Sequence, residues 1–252
     1  MKTVFLIMCL LGPVLGVAQP APTDSASHRF NFKRITQTAD LSLATKGDFN
    51  TISLSLVRLR GLGRSHRFRV GFGLRFTAAF GRNTDYRTAP SRLAKGPGHP
   101  SALGLFAPTL DENLDTLRLS RTQAYSLNIS GNLEYALSRR VAIGANLDMV
   151  GFTVGPDQTG TFIASSPAPS PLSGTMQDAR LTAFNALIGD QSDRGSLNTE
   201  GYIRYRLNPR LSLRAGASLI VNEYTTTRPL TFGNDRFRSG NNRVVLAFSY
   251  HL

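Results

Sequence analysis

Cysteine and tryptophan are the scarcest residues in this sequence. Cys9 is the single cysteine among 252 residues, and tryptophan is absent. Cys9 falls inside an N-terminal apolar segment that we expect to be cleaved from the chain. The chain that remains then has no disulfide, no thiolate nucleophile and no cysteine metal site.

Long apolar runs are also missing. The run from Val4 to Leu15 is shorter than the roughly 20 residues that a membrane-spanning helix needs. It follows Lys2 and precedes the small residues of Gly16–Ala18, a pattern that predicts a secretory signal peptide over residues 1–18. The alternative is a buried N-terminal helix. No later segment is apolar enough to cross a membrane as a helix, which excludes an inner-membrane helical bundle.

Acidic residues are outnumbered by basic ones. The sequence has 29 Lys and Arg against 16 Asp and Glu, a formal net charge of +13. Such a balance can serve nucleic-acid binding, but no recognised nucleic-acid motif accompanies it and the chain is predicted to be exported. We therefore expect no nucleic-acid partner, and the positive charge needs another explanation.

Period-two alternation is what the sequence does contain, and it predicts strands with two unlike faces. Residues 67–81 read RFRVGFGLRFTAAFG, where alternate positions from Phe68 to Phe80 are apolar and Arg69 and Arg75 lie between them. Seven other segments alternate in the same way: residues 35–45, 51–60, 122–137, 141–149, 197–207, 211–222 and 244–252. The sequence therefore predicts an all-β fold with eight strands.

The connections between these segments are sorted by length. Short turns at residues 61–66, 138–140 and 208–210 alternate with the segments 46–50, 82–121, 155–196 and 226–241. In an antiparallel order, this places the short turns and both termini at one end and the long loops at the other. Residues 46–50 are the one tight connection at the long-loop end.

This organisation predicts a transmembrane β-barrel over residues 35–252, preceded by a periplasmic lead over residues 19–34. Strands can cross a bilayer only as a closed sheet, with roughly 9–11 residues per crossing and short periplasmic turns opposite long external loops. The charged strand residues lie opposite the apolar set, except Arg58 and Arg60, which we expect to reach towards water at the turn end. The alternative is a soluble β-sandwich or lipocalin-like barrel, because alternation alone does not say which face is inside.

The pattern resembles the small outer-membrane β-barrels of Gram-negative bacteria, of the OmpA-like eight-stranded transmembrane type. The last strand carries apolar or aromatic residues at alternate positions, similar to the signal that the barrel-assembly machinery reads in that family: Val244, Leu246, Phe248, Tyr250 and Leu252. Leu252 departs from the family pattern, which usually ends in Phe. The resemblance implies an antiparallel barrel in the bacterial outer membrane, with lipid and the assembly machinery as partners.

The charged residues that face inward form the candidate site. An eight-stranded barrel has an interior just wide enough for side chains to fill, so we expect these residues to form a lumen charge network. Its predicted members are Arg69, Arg75, Glu134, Asp148, Glu200, Arg204, Arg206 and Arg214, with Asp40 on the same face. Arg69 and Glu134 are expected to pair. The alternative is a narrow passive pore, which the arginine excess would make anion-preferring.

The long loops are the other candidates for function. Loops of this length are uncommon unless they are functional or disordered. Within residues 155–196 six residues approximate a helical stripe: Met176, Ala179, Ala183, Phe184, Leu187 and Ile188. This predicts a short helix that packs on the barrel rim, dips into its mouth or docks a partner. Loop arginines suit the phosphates of lipopolysaccharide, and an external ligand or protein is a further expected partner.

The sequence gives little support for catalysis. None of the four histidines, His28, His66, His99 and His251, shares metal-ligand spacing with another. Some outer-membrane barrels are lipid A deacylases with a pattern similar to His-x-Ser on a strand; here only His99-Pro100-Ser101 fits, and it lies in a loop. We therefore expect no enzyme, no metal and no cofactor, with a lipid-modifying enzyme as the remaining alternative. The predicted role is structural or interactive, through the external loops.

Overall fold

The computed structural model describes residues 32–89, 91–94, 110–165, 170–188 and 193–252. The predicted signal peptide and most of the periplasmic lead lie outside these ranges. The described chain forms eleven strands: β1 (Ile35–Lys46), β2 (Phe49–Leu62), β3 (Phe68–Thr88), β4 (Thr116–Ala136), β5 (Val141–Val154), β6 (Gln158–Ile163), β7 (Met176–Leu181), β8 (Phe184–Ala186), β9 (Leu197–Arg206), β10 (Leu211–Thr226) and β11 (Arg236–His251).

Helical structure within the described ranges is limited to single turns. These are α1 (Ser91–Ala94) and the 3₁₀ turns at Asp111–Asn113 and Thr231–Gly233. None of these helices is long and apolar enough to cross a membrane.

Eight long strands close into a ring. Each pairs antiparallel with its neighbours in the order β1, β2, β3, β4, β5, β9, β10 and β11, and β11 returns to β1 through the pairs Thr38–His251 to Thr45–Val244. A ring has no free edge, so the strand backbone groups find partners within the chain. The predicted eight-stranded antiparallel barrel is confirmed.

The register gives the slope of the strands. A row of cross-strand partners that starts at Ile35 returns to β1 at Thr45, ten residues further along the strand: Ile35, Arg60, Val70, Leu133, Ala145, Gly201, Ala217, Val244 and Thr45. At standard strand spacings, this displacement in an eight-stranded barrel corresponds to a tilt of about 40°. Rows across the wall therefore climb from the turn end towards the external end.

Local hydrogen bonds hold two of the short turns in matching ways. Ser138 Oγ accepts hydrogen bonds from the amides of Arg140 and Val141, at 3.2 and 3.0 Å. Asn208 Oδ1 does the same for the amides of Arg210 and Leu211, at 2.8 and 2.9 Å. Short polar side chains that accept from the backbone two and three residues ahead favour tight turns, so these sequences turn the chain at the periplasmic end.

The two faces of the ring differ as a membrane barrel requires. On β2 the outward side chains from Ile52 to Leu56 are exposed, whereas Ser53, Ser55 and the other inward residues are buried. Exposed aromatic side chains on the outer face lie near both edges, with Phe72 and Phe248 between them: Phe68, Tyr135, Tyr205 and Tyr250 at the turn end, and Phe76, Phe80, Phe152 and Phe184 at the external end. These girdles bound an apolar belt that faces lipid.

One glycine of β3, the strand that carries Arg69 and Arg75, has a packing role. A Cβ on Gly71 would overlap the carbonyl oxygen of Arg58 on β2, so only glycine lets the two strands approach there. The glycine thus sets the spacing of the barrel wall between β2 and β3, beside Arg69 and Arg75.

Four barrel strands continue beyond the membrane belt and, with two further strands, close a second, narrower ring. The upper parts of β3, β4, β10 and β11 are joined by β6 and β7 from the long segment 155–196. Phe237 and Arg238 of β11 pair directly with Thr88 and Arg87 of β3, because β1 and β2 end below this level. We call this six-stranded structure the external ring.

The external ring has its own apolar core. Tyr86 and Tyr224 meet edge to face at 5.1 Å between ring centroids, and Phe162 meets Phe237 at 6.2 Å. The remaining buried members of this cluster are Phe49, Ala79, Leu117, Leu119, Ala124, Ala179, Leu181 and Leu230. Burial raises the pKa of Tyr86, and raises the pKa of Tyr224 to about 12, so both hydroxyls stay neutral.

Two features of the long segments differ from the sequence expectations. The predicted rim helix is wrong, because Met176–Leu181 and Phe184–Ala186 are strands. Gln177, Ala179 and Leu181 point into the ring at a period of two, and pairing with β6 and β10 satisfies their backbone. β3 and β4 also extend to Thr88 and back to Thr116, so their connection is shorter than residues 82–121.

Phe162→Ala is expected to open the external ring and leave the membrane barrel intact. Phe162 is fully buried, and truncation of a buried phenylalanine costs about 3–5 kcal/mol. We expect trypsin added to the refolded protein to cut the external segments of this variant quickly. Phe72→Ala, on the lipid-facing belt, is the control and should keep wild-type protection. Equal protection of both variants would contradict an independent external core.

Candidate functional site

The lower part of the lumen is organised around Glu134. Arg69 lies directly opposite Glu134 in the β3–β4 register, and its Nη2 is 3.3 Å from Glu134 Oε1. Arg204 Nε lies 2.8 Å from Glu134 Oε2, and the Tyr202 hydroxyl donates to the same oxygen at 3.3 Å. Both arginines and the glutamate are buried. One carboxylate thus holds two guanidinium groups and a phenol from β3 and β9.

A glycine makes room for Tyr202. Gly144 faces Tyr202 across the β5–β9 pair, and a Cβ at Gly144 would lie about 2.5 Å from the tyrosine ring. The ring therefore lies flat against β5 within the lumen, and the Arg214 guanidinium stacks over it at 4.5 Å from the centroid. Tyr202 connects the lower cluster to the middle of the lumen.

The middle of the lumen is organised around Arg75. Its Nη1 lies 3.5 Å from Asp148 Oδ1 and 3.6 Å from Glu200 Oε1, although these three residues come from β3, β5 and β9. The same nitrogen donates to the carbonyl of Asn198 at 3.4 Å. The guanidinium of Arg75 therefore reaches across the lumen from β3 to acids on β5 and β9. Its side chain is 1% exposed.

Arg214 extends this cluster towards β1. Its Nη2 lies 3.5 Å from Asp40 Oδ2 and 3.8 Å from Glu200 Oε2. Asparagines supply the remaining contacts of the acids: Asn128 and the Asn198 amide donate to Asp148, and Asn146 and Asn198 side chains donate to Glu200. Asp148 and Glu200 are therefore both paired and hydrogen-bonded, which is the condition for burying charge at tolerable cost, whereas Asp40 is held by its ion pair with Arg214.

Seven of the eight predicted lumen residues lie in these two clusters, and Arg206 lies apart. Arg206 is half-buried at the periplasmic mouth, where it lines a cavity of about 280 Å³ with Arg69, Arg139 and His251. Arg206 is the last residue of β9 and lies closer to the periplasmic end than Glu134, the acid that pairs with Arg69 and Arg204. We use lumen network below for Asp40, Arg69, Arg75, Glu134, Asp148, Glu200, Tyr202, Arg204 and Arg214.

Three buried charged residues lie outside the predicted set: Asp115, just before β4, and two on the barrel strands, Arg243 and Glu223. Arg243 points into the lumen above the network, stacked at 4.0 Å over the Phe49 ring. Glu223, fully buried in the external ring, accepts hydrogen bonds from Arg236 Nη2 and Arg238 Nη2, both at 2.8 Å. Continuing the period-two count of β11 identifies Arg243 as inward, with Val245 and Ala247. Glu223 shares the parity of the exposed Leu213 and Leu219 on β10, so the same count does not identify it as buried.

The upper edge of the apolar belt carries an unusual pair of charges. Arg82 and Arg121 are direct cross-strand partners on β3 and β4, and both are exposed on the outer face. Like charges directly opposite each other destabilise a sheet. Among the described residues, no carboxylate forms an ion pair with either side chain. Just below them, Phe80 and Tyr125 meet edge to face at 6.0 Å, which marks the lipid boundary.

A basic notch lies beside this pair, above the short β1–β2 hairpin. It has a volume of about 560 Å³ and its charged lining residues are Lys46, Asp48, Arg82, Asp85, Arg87 and Arg238. Asp85 is already engaged: Arg118 donates to both of its oxygens, at 2.7 and 3.1 Å. These hydrogen bonds hold the pKa of Asp85 below its usual value. The notch therefore carries a surplus of positive charge.

The terminal strand presents its alternate apolar residues to lipid. Val244, Leu246, Phe248, Tyr250 and Leu252 are all exposed on the outer face, while Val245, Ala247 and Ser249 are buried. β11 pairs with β10 on one side and β1 on the other, so this strand closes the barrel. Its reading by the assembly machinery stays a prediction from the sequence.

The two described histidines lie near the periplasmic end. His66 is in the β2–β3 turn with a positive φ of 52°, and His251 Nε2 lies 2.5 Å from Ser212 Oγ. Ser212 is fully buried. His28 and His99 lie outside the described residues, as does most of the 89–115 connection. Among the described residues, no cluster of three His, Cys, Asp or Glu side chains has the geometry of a metal site.

Arg75→Met is expected to destabilise the barrel by about 3–5 kcal/mol, because it leaves Asp148 and Glu200 buried without their shared cation. The triple variant Arg75→Met/Asp148→Asn/Glu200→Gln removes those charges together and should recover most of the loss. Urea titration measures the free energy of unfolding of both variants. The folded fraction at each urea concentration is the fraction of protein in the folded band when unboiled samples are run on an SDS gel. A single variant as stable as the wild type would contradict the role assigned to Arg75.

Comparisons with known proteins find solved outer-membrane proteins but no matching family. No family model matches the chain, and no curated protein matches it. Solved structures that align with it include Neisserial surface protein A (NspA; 10% identity, 86% of this chain and 94% of that chain, TM-score 0.32). Ail, the attachment invasion locus protein of Yersinia pestis, aligns at 11% identity over 86% of this chain and 96% of that chain, with a TM-score of 0.33. A major outer membrane protein from Thermus thermophilus aligns at 12% identity over 86% of this chain and 99% of that chain, with a TM-score of 0.36.

The class of the protein follows from its own geometry. Eight antiparallel strands close with a displacement of ten residues, the outer face is apolar between two aromatic girdles, and the charged residues of the strands are paired inside. Short turns gather at one end and the long connections at the other. The chain is a small eight-stranded β-barrel of the transmembrane type.

Proposed function

We propose that this barrel is a non-catalytic interaction protein of the outer membrane whose external rim binds the phosphates of lipopolysaccharide. In this proposal, export through a cleaved signal peptide and folding by the barrel-assembly machinery bring the chain to its place. Arg82, Arg121 and the basic notch beside them, together called the external rim, then lie at the level of the outer leaflet. A further external ligand or protein would meet the connections above the ring.

The observation that carries the proposal is the opposition of Arg82 and Arg121 at the outer edge of the apolar belt. A like-charge pair without an acidic partner among the described residues favours an anion from outside the chain. Arginine binds phosphate with charge-assisted, bidentate hydrogen bonds. In the outer leaflet, lipid A phosphates lie at the lipid–water boundary, the level that Phe80 and Tyr125 mark on the barrel wall.

The basic notch supports the same conclusion. Lys46 and Arg87 line it beside Arg82, and no described carboxylate forms an ion pair with Lys46, Arg82 or Arg87. Lys46 ends β1, and Arg82 and Arg87 lie on β3, which continues into the external ring with its packed core. Paired strands therefore fix the cations in position before a ligand arrives. A fixed basic surface at this level suits a carbohydrate that carries phosphate.

The alternative of an anion-preferring pore has weaker support. Arg75 reaches across the middle of the lumen to acids on the far wall, and the Tyr86, Phe162, Tyr224 and Phe237 cluster occupies the external mouth. An ion would have to disrupt one buried ion-pair cluster and one apolar core to pass. A lipid-modifying enzyme is less favoured still, because Ser212 beside His251 is fully buried.

Arg82→Gln/Arg121→Gln is expected to weaken binding of lipid A to the refolded protein by about thirtyfold, since each of the two surface arginines contributes on the order of 1 kcal/mol to binding an anionic lipid. Arg140→Gln/Arg210→Gln removes two exposed arginines from the periplasmic turns and should leave lipid A binding unchanged. Titration of the protein in neutral micelles with lipid A measures both. An equal loss in the two variants would refute a specific rim site.

The wild-type protein is expected to give no stepwise current in a planar bilayer. Its lumen is crossed by the lumen network and closed by the core of the external ring. Recording at symmetrical salt, with a large porin as positive control, tests this. Reproducible single-channel steps would contradict the interaction role and favour the pore.

A further inference from the structure

A long groove on the lipid-facing wall lies outside the site described so far. Its volume is about 980 Å³, at the upper end of the roughly 300–1,000 Å³ that small-molecule sites occupy. The outward side chains that line it form two neighbouring rows of cross-strand partners: Ile35, Arg60, Val70, Leu133 and Ala145 in one, and Arg58, Phe72, Gly131, Leu147 and Thr199 in the other.

The groove runs obliquely because the rows climb around the tilted barrel. It starts at the first residue of β1 and near the end of β2, at the periplasmic rim. It ends around Ala145 and Thr199, several residues up β5 and β9. Gly131 and Ala145 have small side chains, so they form the floor of the groove at its upper end. The neighbouring outward residues Leu133 and Leu147 are larger and form its sides.

The two ends of the groove differ in chemistry. The upper part is lined by Val70, Phe72, Leu133 and Leu147. The lower end carries Arg34, Arg58 and Arg60, all exposed on the outer face. The carbonyl of Arg34 accepts a hydrogen bond from the Gly61 amide at 2.7 Å, which keeps Arg34 beside Arg60. Among the described residues, no carboxylate forms an ion pair with any of these three arginines.

We propose that this groove binds one anionic glycerophospholipid of the periplasmic leaflet, with an acyl chain along the apolar part and the phosphate on Arg58, Arg60 and Arg34. Three arginines at the lipid boundary match an anionic head group, and arginine clusters of this kind bind such lipids. An oblique apolar groove above them matches a chain that runs from the head group towards the bilayer centre. The arginines lie at the turn end, so the lipid comes from the periplasmic leaflet and not from lipopolysaccharide.

The proposal accounts for two arginines that break the pattern of the strand. Arg58 and Arg60 share the outward face with Ile52, Leu54 and Leu56, where a charge is costly near mid-bilayer and less costly near the interface. Contact with a lipid phosphate lowers that cost, because the guanidinium keeps a charged partner while its stem lies in apolar surroundings.

The test is native mass spectrometry of the refolded protein released from micelles that contain equal amounts of phosphatidylglycerol and phosphatidylcholine with the same acyl chains. The wild type is expected to retain one phosphatidylglycerol in preference to phosphatidylcholine. Arg58→Gln/Arg60→Gln should lower that preference on the order of tenfold. Arg140→Gln/Arg210→Gln, which removes two arginines from the same end but outside the groove, should keep it.

A second variant tests the groove without changing charge. Ala145→Phe places an apolar side chain in the groove on a face that already meets lipid, so it is expected to fold and to lower phosphatidylglycerol retention. The unboiled gel band checks folding of each variant. Three results would overturn the proposal: equal retention of both lipids by the wild type, the same loss in the Arg140/Arg210 control, or wild-type retention by Ala145→Phe.

Lipid A serves as the third probe and separates this site from the external rim. We expect Arg58→Gln/Arg60→Gln to bind lipid A as the wild type does, and Arg82→Gln/Arg121→Gln to retain phosphatidylglycerol as the wild type does. Loss of lipid A binding in the Arg58/Arg60 variant would also overturn the proposal, because the groove would then serve lipopolysaccharide. Because the two sites are tested with different variants and different lipids, one proposal can fail while the other holds.

Discussion

The backbone of a chain that crosses hydrocarbon has to satisfy its own hydrogen bonds, because lipid offers no partner for an unpaired N–H or C=O. In this protein the requirement is met by the pairing of β11 with β1, which turns an eight-stranded sheet into a ring. The displacement of ten residues around that ring fixes the tilt of the strands and the width of the lumen. It also decides which side chains meet: the oblique rows that form the lipid-facing groove and the opposition of Arg69 to Glu134 both follow from this register.

Closure divides the side chains between two surroundings and forces the charges to find partners. Inside, Arg75 and Glu134 each hold two opposite charges from different strands, so the lumen network ties the walls of the barrel together. Outside, a charge is tolerated only near the two boundaries, and the exposed arginines lie there: Arg58 and Arg60 at the periplasmic edge, Arg82 and Arg121 at the external edge. The positive balance of the sequence therefore separates into a paired internal part and two external bands, and both proposed lipid sites arise from those bands.

The sequence predicts the strands well and the partners poorly. Period-two alternation identifies all eight barrel strands, and it places Asp148, Glu200 and Arg214 on one face. It does not show that Arg75 spans the lumen to Asp148 and Glu200, because those contacts join strands that are not neighbours in the ring. The sequence also does not predict the external ring, because Met176–Leu181 is too short for its alternation to be told from a helical stripe and its partner β10 lies far along the chain.

The central claim is that the polar face of the strands is enclosed and the apolar face meets lipid, which is the reverse of a soluble sandwich. Removal of the predicted signal peptide leaves a chain without cysteine, so single cysteines report on each face. Ser55 and Leu56 are neighbours on β2, the first buried and the second exposed. In lipid vesicles, Leu56→Cys is predicted to react with an apolar maleimide and not with a charged one, and Ser55→Cys to react slowly with both. Rapid labelling of Ser55→Cys by the charged maleimide, with Leu56→Cys protected from both reagents, would contradict the account.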